Sequence, residues 1–289
     1  MKNKIKYGNF REYVKKAFPP QKLIIDPFLS RFYRPFSLRL SWLLYRSGIT
    51  PDFITFNQII TGLLGCLTIS LYPTTLGFLI GILILHFSYL LDCVDGEIAR
   101  ATKTESLQGL FLDKFAHAIT MPGIFISVGY YYSQNNPKFQ FTILLICLFA
   151  SFATFNPVNR LVGSIIYQLG TKKEFQQYNL DEYKSNGNQE KRETNLSFLI
   201  NIIENNDSNG VFFFARHLFR HVSYLALITL LLILEIIGIP LIYSTIIWLL
   251  ISLSLIVKEL IVLYIVYSTD IIELRFYNLE KKFDPLEIH

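Results

Sequence analysis

Long apolar segments separated by short polar joints occupy most of the chain after its first fifty residues. They run roughly over residues 53–72, 76–97, 107–132, 139–168, 219–238 and 241–268. Each has about the 20 residues that a helix needs to cross a bilayer. Pro73, Pro137 and Pro240 stand at three joints, where a residue without a backbone N–H ends or begins a helix. The pattern predicts an all-α integral membrane protein with about six transmembrane helices.

A different pattern precedes the first apolar segment. Arginines alternate with aromatic and leucine side chains between Arg31 and Arg46, as in an interfacial amphipathic helix lying in the headgroup layer. Plain basic flanking of the first span is the alternative interpretation. The predicted organisation is a cytoplasmic or interfacial segment (1–50), a six-helix membrane domain (51–270) with a polar cytoplasmic loop (about 171–209), and a cytoplasmic tail (271–289). We expect no removable signal peptide.

Composition and charge agree with a lipid environment. Hydrophobic residues make up 52% of the 289 residues and charged residues 17%, against about 25% charge in ordinary globular domains. Eleven Lys or Arg lie in the first fifty residues and seven in the 169–220 connection, whereas the three short joints contribute only Lys138. The positive-inside rule therefore predicts both termini on the cytoplasmic side, and no nucleic acid partner is expected. The cysteines have no metal-binding spacing and are predicted to be free thiols (Cys66, Cys93 and Cys147).

Ionisable residues concentrate where the second and third apolar segments meet. Asp92 and Asp95 lie near the end of one segment, and Asp113 and His117 near the start of the next. A charged side chain at mid-membrane costs about 2.5 to 3.5 kcal/mol, so this cluster indicates bound partners. At about 100° per residue, the members on each helix share one face. Carboxylates so arranged suit a hard divalent cation, Mg²⁺ (or Mn²⁺), that holds a diphosphate.

Small and basic residues complete the two faces. Residues with no side chain or a small one leave room for a nucleotide or a neighbouring backbone to approach closely (Gly96, Ala99 and Gly109). Arg100 can meet a phosphate with its planar guanidinium. The predicted active site therefore lies at the cytoplasmic ends of the second and third helices.

This constellation resembles the signature of the CDP-alcohol phosphotransferase family, D-x2-D-G-x2-A-R-x8-G-x3-D-x3-D. Seven of its eight fixed positions match at the family spacing: Asp92, Asp95, Gly96, Ala99, Arg100, Gly109 and Asp113. The eighth position holds His117 in place of the last Asp. Upstream, Gly48, Pro51 and Thr55 resemble the segment that often opens the first span in this family, although Asp52 stands where Asn is common.

The resemblance implies a metal-dependent transfer of a phosphoalcohol or phosphatidyl group from a CDP-linked donor to a hydroxyl acceptor, with release of CMP, in phospholipid biosynthesis. By analogy, the metal ligands are Asp92, Asp95 and Asp113, the CDP contacts are Gly96, Ala99, Arg100 and Gly109, and Asp113 and His117 are catalytic. His117 stands at the position of the family's base or second-metal ligand, and a neutral imidazole can serve as either. A site that has lost activity is the alternative. The resemblance also implies a homodimer.

Further polar groups lie in or beside the later apolar segments. Arg160, Arg216 and Arg220 are candidates for binding the acceptor's phosphate or carboxylate, although snorkelling and positive-inside flanking explain them equally simply. Lys258 and Glu259 are not expected to pair with each other, because adjacent helical positions diverge. The alternative function is a non-catalytic nucleotide- or lipid-binding membrane protein, or an ion-coupled transporter. A transporter is disfavoured because the motif has no counterpart in the second half of the chain.

Overall fold

The computed structural model describes residues 7–17, 28–155 and 221–268, together with the single positions 157, 160, 161 and 164. Within these residues all regular secondary structure is helical. The described α-helices are α1 (Tyr7–Ala17), α2 (Phe28–Ser47), α3 (Pro51–Leu71), α4 (Thr75–Thr102), α5 (Leu107–Asn135), α6 (Gln140–Ala153), α7 (His221–Ile236) and α8 (Leu241–Ser268). A short 3-10 turn, Pro137–Phe139, joins α5 to α6. The prediction of an all-α protein is confirmed.

Three of the described helices are long and apolar enough to cross a membrane, namely α3, α4 and the Leu241–Tyr264 part of α8. Two further apolar helices, Pro137–Ala153 and Ser223–Ile236, are shorter. α5 has 29 residues but carries several ionisable side chains in its first turns. Large apolar side chains stay exposed along these helices, as expected where lipid surrounds them. The chain is an integral membrane protein, and the total of six spans stays a prediction.

The helix boundaries lie near the predicted ones, with three differences. α6 ends at Ala153, within the segment that was predicted to run from 139 to 168. α4 continues to Thr102 rather than ending at 97, and it ends where Lys103 adopts the left-handed conformation with φ 55°. α1 has no counterpart among the predicted elements. Its Phe10 is buried, and the Phe10 ring centroid lies 5.5 Å from that of Tyr45 on α2. The amphipathic segment before the first span is helical, as predicted, and its location in the headgroup layer stays a prediction.

The described residues belong to two compact units, of which the first comprises 1–155 and 217–253. In this unit α4 packs against α3, α2 and α7, and α3 also packs against α5. Glycines allow α3 and α4 to approach closely, since a Cβ added at Gly65 would lie 2.8 Å from Leu85 Cγ and one at Gly81 would lie 2.9 Å from the Gly65 carbonyl oxygen. The cysteines are free thiols, as predicted (Cys66, Cys93 and Cys147).

The second unit includes the described positions 157, 160, 161 and 164 and the part of α8 from Ser254 onwards. Its described part contains the last turns of α8, where Lys258 Nζ lies 3.1 Å from Glu259 Oε1. The expectation that these two neighbours do not pair is therefore wrong. Adjacent Cβ atoms do diverge on a helix, but the flexible four-carbon stem of lysine lets its ammonium bend back to the next side chain.

Candidate active site

The four-residue connection between α4 and α5 brings the two halves of the motif together. The Ser106 hydroxyl accepts a hydrogen bond from Gly109 N at 2.9 Å and so caps the first turn of α5. Because the connection is short, α5 turns back and packs against α3, with Asp113 and His117 facing Asp92 of α4. Asp92 lies ten residues before the end of α4 and His117 ten residues after the start of α5, which is about 15 Å along each helix. The motif residues therefore meet at one level.

Three side chains form the centre of the site. His117 Nε2 lies 3.4 Å from Asp92 Oδ1 and 3.4 Å from Asp113 Oδ1. One potential ligand atom from each of the three residues lies within 4.8 Å of the others. All three side chains are partly shielded, with Asp92 the least exposed at 17%. Lys114 Nζ, 3.3 Å from Asp113 Oδ2, adds a cation at the edge of the cluster.

Asp95 lies one turn further along α4, outside this cluster of three. Its side chain is buried, and its Oδ2 accepts a hydrogen bond of 2.6 Å from Thr55 Oγ1 on α3. Thr55 belongs to the upstream segment that resembles the family's opening of the first span. The structure therefore brings that segment into contact with the motif through a hydrogen bond to one of its carboxylates.

Gln58 is a site residue that the sequence analysis missed. It is 1% exposed, and its Nε2 donates a 2.9 Å hydrogen bond to Asp92 Oδ1. Thr55 and Gln58 are three residues apart on α3, as are Asp95 and Asp92 on α4. This equal spacing on two adjacent antiparallel helices is the one sequence feature that could have pointed to Gln58. It becomes useful only when the turns of α3 and α4 that lie side by side are known.

The small residues of the motif have different surroundings. A Cβ added at Gly96 would lie 3.0 Å from both terminal guanidinium nitrogens of Arg100, so the arginine side chain covers this glycine. A Cβ added at Gly109 would lie 3.4 Å from Asp52 Oδ1. Ala99 is partly exposed on the same helix. These residues therefore line the motif end of α4 and α5, with Arg100 folded against its own helix.

Glu97 has no assigned role in the motif, yet it is 2% exposed. Its Oε1 accepts a 2.7 Å hydrogen bond from Ser37 Oγ, and its Oε2 accepts a 2.6 Å hydrogen bond from Ser41 Oγ. Both serines lie on α2 and are fully buried. Glu97 thus holds α2 against α4 beside the motif.

Two of the three predicted acceptor residues lie outside the described residues. Arg160 is exposed at a helical position of the second unit. Arg216 and Arg220 lie outside the described residues. Their assignment to the acceptor stays a prediction.

Most of this site lies in a segment that matches a known protein family. Residues 48–170 match the family model described as CDP-alcohol phosphatidyltransferase. Residues 48–170 correspond to a CDP-alcohol phosphatidyltransferase domain. The matched range includes all eight motif positions and the helices α3 to α5, which supply the central residues of the described site. Comparison with curated proteins finds no significant match.

The CDP-alcohol phosphatidyltransferase family is metal-dependent, and the three central side chains fit a bound cation. His117 Nε2 lies 3.4 Å from an oxygen of each carboxylate, within the roughly 3 to 4 Å that separates ligand atoms sharing one small ion with bonds of about 2 Å. Oxygen donors favour Mg²⁺ or Mn²⁺, and an imidazole nitrogen is compatible with Mn²⁺ as well. The residues present therefore suit the group that the family requires.

Proposed function

We propose that this membrane protein transfers a phosphoalcohol or phosphatidyl group from a CDP-linked donor to a hydroxyl acceptor, releasing CMP, as a step of phospholipid biosynthesis. The observation that carries the proposal is the convergence of Asp92, Asp113 and His117 from two helices within the segment that matches the family. Phosphoryl transfer depends mainly on positioning and on charge neutralisation, and this arrangement is suited to both.

The metal would be held by the motif carboxylates Asp92, Asp95 and Asp113, with Asp95 oriented by Thr55. When bound, a divalent cation neutralises the diphosphate and polarises the bond to the leaving CMP. Mg²⁺ or Mn²⁺ is the proposed ion.

The proposed CDP contacts are the small residues Gly96, Ala99 and Gly109, with Arg100 directed to phosphate oxygens after leaving its resting position on Gly96. The absence of side chains at the two glycines lets the diphosphate approach the helix backbones. In the transfer, the acceptor oxygen bonds to phosphorus as the bond to CMP breaks.

His117 is the proposed base for this reaction, with the cation held by the carboxylates rather than by the imidazole. Its Nε2 takes the proton of the acceptor hydroxyl, and the nearby Asp113 Oδ1, at 3.4 Å, stabilises the imidazolium that forms. A histidine suits this role because a ring nitrogen can take up a proton while the ring stays in place beside a carboxylate.

The distribution of basic residues supports a cytoplasmic location for both termini and for the active site. CDP-linked donors are either water-soluble molecules of the cytoplasm or lipids whose nucleotide faces the cytoplasm. A site on the cytoplasmic side therefore has access to them. CDP-diacylglycerol and a CDP-linked small alcohol are both candidate donors, and a homodimer is the proposed assembly.

The test is CMP release by the purified protein in lipid with Mg²⁺ and a panel of CDP-linked donors and alcohols. We expect release with at least one pair, and a fall of about 100-fold or more for Asp92→Asn, which removes a charge from the centre of the site. Glu105→Gln is the matched control. It removes an exposed carboxylate from the α4–α5 connection and should leave the rate nearly unchanged.

The outcomes separate the candidate functions. Binding of CDP without CMP release from any donor would contradict the transferase and support a non-catalytic nucleotide-binding protein. Undiminished release by Asp92→Asn would show that the chemistry lies elsewhere in the chain.

A further inference from the structure

The side chain of Gln58 crosses from α3 to α4 at the centre of the candidate site. Its amide Nε2 donates to Asp92 Oδ1 at 2.9 Å, and the residue is 1% exposed. Asp92 Oδ1 also faces His117 Nε2 at 3.4 Å. The oxygen that Gln58 holds is therefore part of the cluster proposed to bind metal, and the amide restrains the orientation of that carboxylate.

The backbone of Gln58 is held as well. Ser88 Oγ on α4 donates a 2.9 Å hydrogen bond to the Gln58 carbonyl oxygen. Ser88 precedes Asp92 by one helical turn, so the two hydrogen bonds join consecutive turns of α4 to the same residue. Close approach of the helices here is possible because Gly62, one turn along α3, has no side chain. A Cβ at Gly62 would lie 2.7 Å from Thr120 Oγ1 and 3.2 Å from Ser88 Oγ.

The chemistry of an amide suits this place. A neutral donor orients a carboxylate without cancelling its negative charge, so the carboxylate keeps its attraction for a cation. Hydrogen-bonding partners of metal ligands commonly change metal affinity by about 10- to 100-fold when they are removed. Burial strengthens the effect because water cannot replace the lost amide.

We propose that Gln58 is a positioning residue that orients Asp92 for binding the divalent cation. This inference rests on the proposed metal site of the transferase. Gln58 acts through Asp92 and contacts neither donor nor acceptor. Its removal weakens metal binding, while the reaction rate at saturating metal is largely kept.

The decisive variant is Gln58→Met, which retains the length and nearly the volume of the side chain but removes both polar groups. Binding of Mn²⁺ alone to the purified protein in lipid nanodiscs is measured from the electron paramagnetic resonance signal of the free ion. We expect the half-saturating Mn²⁺ concentration to rise about 10- to 100-fold. In the CMP assay, the metal concentration for half-activation should rise in parallel, with the maximal rate changed far less.

The matched control is Asn57→Leu, which removes an amide one residue earlier on α3. Asn57 Nδ2 donates to the Phe53 carbonyl oxygen of its own helix at 2.7 Å, so Mn²⁺ binding should stay at the wild-type level. A purely structural effect of Gln58→Met would instead lower the maximal rate or the folded fraction without moving the half-saturating concentration, and that result would overturn the proposal.

A second variant decides the question if Gln58→Met does not fold. Gln58→Asn keeps a buried amide but shortens it by one methylene, so the donor withdraws from Asp92. Weaker Mn²⁺ binding supports the proposal, and wild-type binding by the folded variant overturns it. Mn²⁺ binding that weakens as expected in a protein that releases no CMP from any donor would contradict the proposed transferase while leaving the role of Gln58 intact.

Discussion

At the scale of single residues, His117 is where this chain departs from the family motif that it resembles. An imidazole replaces the last carboxylate of the motif, so the site carries one negative charge fewer. The structure nevertheless directs His117 Nε2 towards both Asp92 and Asp113, at 3.4 Å from each. A histidine retained only for packing would not need this arrangement. Its geometry favours a part in the reaction over a decayed site.

Substitution of His117 tests whether this side chain takes part in the reaction. We expect His117→Ala to lower CMP release by about 100-fold or more, because general-base catalysis typically contributes two to four orders of magnitude. His117→Asp restores the family carboxylate and should retain or raise the rate. Both are measured at saturating metal, so that changes in metal affinity do not enter. Full activity in His117→Ala would contradict the assignment of the base.

The residue scale also shows what a single sequence can and cannot predict. Asp92, Asp113 and His117 were predicted as a group from their spacing, and the described geometry brings them together. Gln58 and Glu97 were missed, because neither their residue type nor their spacing distinguishes them on their own helices. Each acquires its role from a partner on another helix, and such a contact depends on how the helices are aligned.

At the scale of helices, α2 is fastened to the motif-bearing helix by polar contacts on its inner face. Ser37 and Ser41, one turn apart, donate to the two oxygens of Glu97. Nearer the start of α4, His86 forms hydrogen bonds with Tyr33 of α2 and with Thr229 Oγ1 of α7, the second at 2.7 Å. The outer face of α2 exposes aromatic and leucine side chains. The alternation of arginines with apolar residues in the sequence predicts that α2 is a helix. The buried serines show which face of α2 packs against α4.

This docking predicts a specific stability effect. The double change Ser37→Ala and Ser41→Ala leaves the Glu97 carboxyl buried without these two donors, and should lower the free energy of unfolding by about 2 to 4 kcal/mol. Unfolding is followed by circular dichroism during SDS titration in mixed micelles. Adding Glu97→Leu to the same protein should recover most of the loss, because no buried polar group then lacks its partner.

A serine on the exposed side of α2 provides the control. Ser47 Oγ donates only to the Leu43 carbonyl oxygen of its own helix at 3.1 Å, so Ser47→Ala should change stability little. Equal losses for Ser47→Ala and for the buried pair would contradict the contact between α2 and α4.

The helix ends illustrate the same limit of sequence analysis. Proline and apolar runs predicted the starts of α4, α6 and α8 closely, since Pro73, Pro137 and Pro240 mark the joints before them. The end of α4 was placed too early, because its last turn carries polar and charged residues beyond the apolar run. α1 was missed because its burial comes from contact with α2 and α4, as between Phe10 and Tyr45 of α2.

At the scale of the whole molecule, a membrane helix bundle brings together carboxylates that would be costly to bury singly. α3 supplies hydrogen-bond donors, α4 and α5 supply the acidic face, and α2 packs against α4 beside it. The membrane character and the site-bearing helices were predictable from hydropathy and motif spacing. The total number of spans, the sidedness and the dimer are predictions that rest on charge distribution and family resemblance.

The most direct test of the proposed active site is the location of its metal. Crystals of the full chain grown in lipid with Mn²⁺ and CDP are measured at a wavelength where manganese scatters anomalously. The account predicts a peak between α4 and α5, about 2 Å from carboxylate oxygens of Asp92 and Asp113, that disappears in Asp92→Asn. Clear density for CDP with no peak beside these carboxylates, or with manganese bound elsewhere, would contradict it.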